Sequence, residues 1–179
     1  MSLVKGERAI SSHALFFPAG KAYTVPSSGT AGRSAKPGAG DAGWINMGII
    51  KMSKDAIGGE KKETFAPVPG KKVRYDIHRL KETLTHKFTC LEITPLAIQC
   101  LYRTLALDES SSQFNALEGV EVKGWLKVQR YNKDNSLVMV FDHFVDLEVS
   151  GEVDFSGEDM TTVDFEAAVL HSTLNTGTL

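Results

Sequence analysis

What this sequence lacks narrows its class first. No apolar run approaches the roughly 18–20 residues that a membrane-crossing helix needs, so no membrane partner is expected. The first twenty residues, MSLVKGERAISSHALFFPAG, start basic, but Pro18 breaks a short apolar run. They read as mature protein rather than as a secretion signal. Only two cysteines occur, Cys90 and Cys100, both among apolar neighbours. That setting favours two buried, reduced thiols over a disulfide or a metal site, and a reducing cytosol is the compartment it fits. A charge excess is missing too. The 20 Lys+Arg against 22 Asp+Glu leave a net charge of −2, which argues against a dedicated nucleic-acid binder.

Motifs of catalysis are lacking as well. There is no G-x-x-x-x-G-K-[ST] and no G-x-S-x-G. GAGDAG, Gly38–Gly43, has the spacing G-x-G-x-x-G. A dinucleotide site needs a strand before that motif and a helix after it, whereas here a Pro-containing loop precedes and the β-like WINMGII follows. His13, His78, His86, His143 and His171 are scattered without metal-ligand spacing. His143 falls on a mainly apolar strand face and reads as a core histidine. Asp142, Asp146 and Glu148 share the opposite face of that strand. Nothing nearby supplies the raised pKa that one member of an acid/base pair requires, so they read as a solvated face. The basic stretch Lys51–Lys87 lacks a series of interleaved aromatics, with Phe65 and Tyr75 its only two, so stacking on single-stranded nucleic acid is not expected. No enzymatic activity, cofactor or metal is expected.

What is present is mostly β-pattern. The 179 residues suit one domain, with 1–43 a partly flexible N-terminal region and 172–179 a flexible tail. A short strand is expected near His13–Phe17. PSSGTAGRSAKPGAGDAG (26–43) has the composition of a flexible loop or arm. WINMGIIKM, Trp44–Met52, reads as a strand with a glycine inside it, which marks a bulge or a close backbone approach. Residues 53–72 are basic and punctuated by Gly58–Gly59 and Pro67–Gly70, with EKKETFAPV suited to extend between them, so a protruding hairpin or long loop is expected. From Leu84 the period is two: Leu84, His86, Phe88 and Cys90 on one side, Thr85, Lys87, Thr89 and Leu91 on the other. A helical reading of Asp76–Thr83 is the weaker alternative there.

One helix is expected, over about 94–106. Thr94 suits the N-cap and Pro95 the first turn, with Ile93 and Ile98 placed as a hydrophobic staple. Leu96, Ile98, Leu101, Tyr102 and Leu105 cover most of its circumference, and Gln99 and Arg103 leave only a thin polar stripe. Ile98, Leu101, Tyr102 and Leu105 are the candidate packing residues. A helix this apolar is covered on more than one side. The cover is either its own core alone, or its own sheet on one side and a neighbouring copy on the other. The remainder is β: EGVEVKGWLKVQRY, a turn at Asn132–Ser136, and LVMVFDHFVDLEV. The last places Leu137, Met139, Phe141, His143, Val145, Leu147 and Val149 on one face. SGEVDFSGEDM reads as a bend and turn. TTVDFEAAVLH closes with Val163, Phe165, Ala167 and Val169 on one face. The fold class is therefore mainly β, an antiparallel sandwich or barrel with one packed helix and extended loops or arms.

The charges are segregated. Lys51–Lys87 holds 10 Lys/Arg against 5 Asp/Glu, and Asp108–Glu166 holds 4 against 14. Two solvated faces of one domain account for this; so do two complementary surfaces that meet between copies, of the head-to-tail kind that makes rings or filaments.

In order along the chain, GWINMGIIK, HKFTCLEITPLAIQCLY and FDHFVDLEVSGEVDFSGEDMTTVDFEAAVLHST resemble the opening W-x-x-x-G segment, the strand-then-helix segment and the closing strands of phage major tail tube proteins. The similarity runs from about Trp44 to Thr173, and the long Gly/Ala-rich segment before Trp44 departs from the pattern. The resemblance implies a structural virion protein of a long-tailed phage or prophage. Such subunits form hexameric rings that stack into a hollow conduit, with other tail proteins as partners and DNA only as passing cargo. It implies assembly in the bacterial cytoplasm and residence in the tail. Lys54, Lys61, Lys62, Lys71 and Lys72 are then the candidates for contacts between rings, together with segment 26–43. Asp142, Asp146 and Glu148 are the candidates for the channel lining, because like charge keeps phosphate from sticking. The alternatives are a tail terminator, baseplate or secretion-tube ring protein, and a monomeric β-barrel binding module.

Overall fold

The computed structural model describes residues 11–19, 31–104, 115–153 and 161–178. Among them the chain forms eight strands and one helix: β1 (Ser11–Pro18), β2 (Ile45–Asn46), β3 (Ile50–Val68), β4 (Lys71–Cys90), α1 (Pro95–Tyr102), β5 (Val122–Tyr131), β6 (Leu137–Val149), β7 (Val163–Val169) and β8 (Thr176–Thr178). All pairings are antiparallel, in the order β2-β1-β5-β6-β7-β4-β3, with β8 added to β6. The sheet curls until β1 and β3, far apart in that order, approach each other. The result is a mainly β, barrel-like body with one helix, the expected class.

The period-two reading predicts the interior. Phe88 and Cys90 from β4, Val145 and Leu147 from β6, and Val163, Phe165 and Ala167 from β7 all enter one core. Ala14 and Phe16 of β1, Val122, Leu126 and Val128 of β5, Met47, and Leu96, Ala97 and Cys100 of α1 complete it. Gly124 lies where β1 crosses closest, since a Cβ there would collide with the Phe17 carbonyl and the Phe16 ring. A second, smaller cluster forms on the outer face from Phe17, Trp125 and Phe144.

That outer cluster is covered by segment 31–44, and here the expectation of a free arm is corrected for its described part. The Trp125 indole donates to the carbonyls of Gly32 (3.0 Å) and Ala35 (3.1 Å). The Ser172 hydroxyl donates to the Arg33 carbonyl at 2.7 Å, and Lys36 Nζ lies 2.9 Å from an Asp142 carboxylate oxygen. GAGDAG forms a turn in which the Asp41 amide donates to the Gly38 carbonyl and the Asp41 carboxylate accepts from the Gly43 amide. Buried indole N–H and carboxylate groups need partners, and the strap's backbone and lysine supply them. Residues 20–30 lie outside the described residues. The tail is corrected as well. Thr176–Thr178 pairs with β6, and the Asn175 amide bridges the Leu170 carbonyl and the Phe144 N–H.

The helix is shorter than expected. Thr94 caps it as predicted, its hydroxyl accepting from the Ala97 amide at 3.2 Å. The helix stops at Tyr102 because Arg103 turns left-handed (φ 49°, ψ 41°), and the amides of Leu117 and Val120 take the carbonyls of Tyr102 and Arg103. Leu105 falls outside the described residues. Gln99 does not form a polar stripe. It is 1% exposed and belongs to the buried side of the helix with Leu96, Ala97 and Cys100. WINMGIIKM is not one strand either: the chain breaks at Gly48 (φ +89°) between β2 and β3.

Candidate assembly surface

The hairpin of β3 and β4 dominates the surface. The two strands are 19 and 20 residues long and are joined by Pro69–Gly70 alone. Proline fixes φ at the first turn position and Gly70 supplies the positive φ (+82°) at the second. The weaker helical reading of Asp76–Thr83 does not hold, since these residues continue β4.

Only the base of this hairpin belongs to the body. β7 pairs β4 from Thr85 to Cys90 and no further. Among the described residues no third strand pairs with the ribbon from Ile57 to Leu84, and its length is about 40 Å at the usual rise per residue. An isolated two-stranded ribbon is at best marginally stable in water. Yet this one carries Ile57 (85% exposed), Phe65, Val68, Tyr75 (78%), Ile77 and Leu80 (63%) in the open. Tyr75 and Leu80 are the extra residues at two β-bulges, opposite the Thr64–Phe65 and Glu60–Lys61 steps of β3. Bulges bend and twist a strand and re-aim its side chains. The apolar groups alternate with charge: Lys61, Lys62, Lys71 and Lys72 are exposed along the ribbon, and Lys54 at its base is exposed too. Arg74 pairs with Glu63 at 3.0 Å and Arg79 with Glu82 at 2.9 Å.

The hairpin base is anchored by a polar chain that the sequence did not reveal. Arg130 of β5 forks onto Asp55 of β3 with contacts of 2.8 and 2.6 Å. His86 of β4, directly opposite Asp55 in the register, donates from Nδ1 to the same carboxylate at 2.7 Å. Its Nε2 lies 2.9 Å from Nδ1 of His143 on β6, so one proton is shared between the two rings. Burial alone would raise the Asp55 carboxyl, but hydrogen bonds from His86 and Arg130 outweigh it and hold the group well below the usual carboxylate range. Burial, reinforced by His86, lowers His143 from 6.5 to about 4, so His143 stays neutral at physiological pH. The chain has the order of a charge relay, but it ends on an imidazole packed against Phe141. It ties four strands together. The only sequence signal was two histidines on apolar strand faces, and no local spacing joins residues 55, 86, 130 and 143.

The helix presents two further surfaces. Ile98, Leu101 and Tyr102 are half-buried and, with Ile93, Ala97, Val153 and Val163, line an apolar groove of about 200 Å³. The staple pair Ile93 and Ile98 thus shares a groove wall. Beside the helix C-terminus, Glu121, Asp146 and Glu148 line a small cleft with Cys100 and Arg103. Burial pushes the Asp146 carboxyl up. Lys123 opposes this, and Glu121 and Glu148 add to it. Asp142 does not join these two. It is buried, held by Lys36 at 2.9 Å and Lys127 at 4.0 Å, with Phe144 between it and Asp146 along the strand face. Its carboxylate is therefore withdrawn from any open acidic face.

Among the described residues no group of three or more His, Cys, Asp or Glu side chains is placed to hold a metal ion, and no helix is long and apolar enough to cross a membrane. No protein-family model matches the chain, and no curated protein sequence matches it.

Proposed function

We propose that this chain is a structural assembly subunit, and specifically a major tail tube protein whose copies form rings that stack into a hollow conduit for DNA. One observation carries the reading: a ribbon of about 40 Å that, among the described residues, exposes six large apolar side chains and two unpaired strand edges. Such a ribbon is a template for association, and a monomeric binding module gains nothing from it. The ordered resemblance from Trp44 to Thr173 points the same way, and the reading has no catalytic step. The hairpin also favours stacking over a single closed ring, since an element this long reaches well beyond its own body. Residence in the virion tail and contacts with other tail proteins belong to this proposal.

The test is negative-stain electron microscopy of concentrated protein beside light scattering. The intact chain is expected to give rings or open tubes. A variant with 57–84 replaced by a two-residue turn is expected to stay monomeric with an unchanged β-rich circular dichroism spectrum. Normal polymers from the shortened variant would falsify the role of the hairpin. A monomer from the intact chain at every concentration and salt, even with preformed tail-tip seeds, would remove the tube reading.

A further inference from the structure

We infer that the groove beside α1 is the socket for the hairpin of a second copy, with Tyr75 and Leu80 of one chain seated against Ile98, Leu101 and Tyr102 of the next. This rests on the assembly reading and names the contact through which it works. Both halves of the contact are visible in one chain. The groove is almost wholly apolar, and its described walls leave about 200 Å³ open, room for one or two large side chains. The ribbon offers such side chains at its two bulges, where they are 78% and 63% exposed and no described residue covers them. The surrounding charges are complementary. Residues 57–84 hold 7 Lys/Arg against 4 Asp/Glu, so the ribbon stays basic although Arg74 and Arg79 pair with its own Glu63 and Glu82, while Glu121, Asp146 and Glu148 line the cleft on the other flank of α1. An apolar anchor fits the apolar groove, and a basic ribbon laid across α1 runs toward the carboxylates on the far flank, which gives both affinity and orientation. The contact is heterologous, because hairpin and socket are different surfaces. Each copy therefore leaves one of each free, and the arrangement propagates. The inference also moves Asp146 and Glu148 from the channel lining to a contact between copies.

The experiment joins two single variants, Leu80→Cys and Leu101→Cys, mixed at equal concentration with a short bis-maleimide. Cys90 and Cys100 are buried with thiols pushed up to about 12, so the introduced cysteines react first. The expected result is a crosslinked dimer in the mixture, on the order of tenfold above either variant alone and above Lys133→Cys paired with Leu101→Cys. A yield no higher than the Lys133 control, in protein that still forms rings or tubes, overturns the socket and leaves the tube reading intact. A high yield in protein that stops at short chains without rings supports the socket and removes the tube. Neither crosslink nor polymer overturns both. Leu101→Asp supplies a second reading: it is expected to raise the assembly threshold at least about tenfold while the circular dichroism spectrum is retained, and an unchanged threshold overturns the socket.

Discussion

β4 is one strand with two fates. From Thr85 to Cys90 it lies between β3 and β7, and His86, Phe88 and Cys90 are buried. From Lys71 to Leu84 it pairs, among the described residues, with β3 alone, and Tyr75, Ile77 and Leu80 stand in water. Residue type does not separate the halves, because both carry large apolar side chains at intervals. A third strand separates them: where β7 ends, burial ends. A side chain is stabilised by what packs on it, and the outer half lacks that partner among the described residues.

The largest expected effect sharpens this contrast. Phe88 stacks on Phe165 with ring centroids 5.4 Å apart and is 3% exposed. Phe88→Ala should destabilise the monomer by about 3–5 kcal/mol in urea melts, the cost of a buried aromatic plus its cavity. A loss below about 1 kcal/mol would mean that the base of β4 is no better packed than its tip.

Next in size is acid sensitivity at the hairpin base. His143 has a folded pKa of about 4 against an ordinary 6.5, so between these values the unfolded chain binds the extra proton. The stability contribution is complete above pH 6.5 and is lost as pH falls through 4, on the order of 2–3 kcal/mol in all. Asp55 adds a further loss below its ordinary 3.8, since its folded pKa is also depressed. The groups facing His143 are His86, Asp55, Asp142 and Lys36, and the two carboxylates partly oppose the shift. Urea melts from pH 7 to 4 should show the slope, and His143→Leu should flatten it. A flat profile in the unsubstituted protein would show that the relay does not anchor the hairpin.

Smaller again is the strap. Lys36→Met removes the closer of the two cations on buried Asp142 and the donor to Thr176, and should cost about 1–2 kcal/mol. Hydrogen exchange should then quicken at 31–43 and 176–178 while the amides of 57–84, expected to exchange faster than the body from the outset, do not change. Slower exchange along the hairpin than in the body would reverse the comparison.

How much of this was legible follows from range. Period two exposed the buried face of β6 from Phe141 to Leu147 and that of β7 from Val163 to Ala167, because alternation is written locally. Thr94–Pro95 announced the helix start, again locally, but its end depends on Leu117 and Val120 reaching back to Tyr102 and Arg103, which no window of sequence contains. The Gly/Ala-rich stretch read as a free arm because its stabilising partners are distant: Trp125, Asp142 and Ser172. Asp142 read as solvated for the same reason. The hairpin was legible as a protrusion from its turns and charges. Its unsupported length was not, since that depends on where β7 stops. The relay of Arg130, Asp55, His86 and His143 joins four strands and had no local signature.

The smallest effect on the monomer decides most about the molecule. Tyr75→Ser with Leu80→Ser removes two of the largest side chains on the ribbon. Neither is packed, so the monomer's urea midpoint should move by less than about 0.5 kcal/mol equivalent. The bulges that place them persist, because they are set by the pairing of Lys81 and Arg79, and of Asp76 and Arg74, with β3. Self-association should nonetheless fall sharply, measured by light scattering against concentration. The same two substitutions would thus be silent in folding and severe in assembly, the reverse of Phe88→Ala, which attacks folding first. If the double variant instead unfolds the monomer, the ribbon has a partner within its own chain, and the distinction between the two halves of β4 fails. If it changes neither property, the exposed apolar groups of the hairpin are incidental, and the free strand edges alone must carry any association.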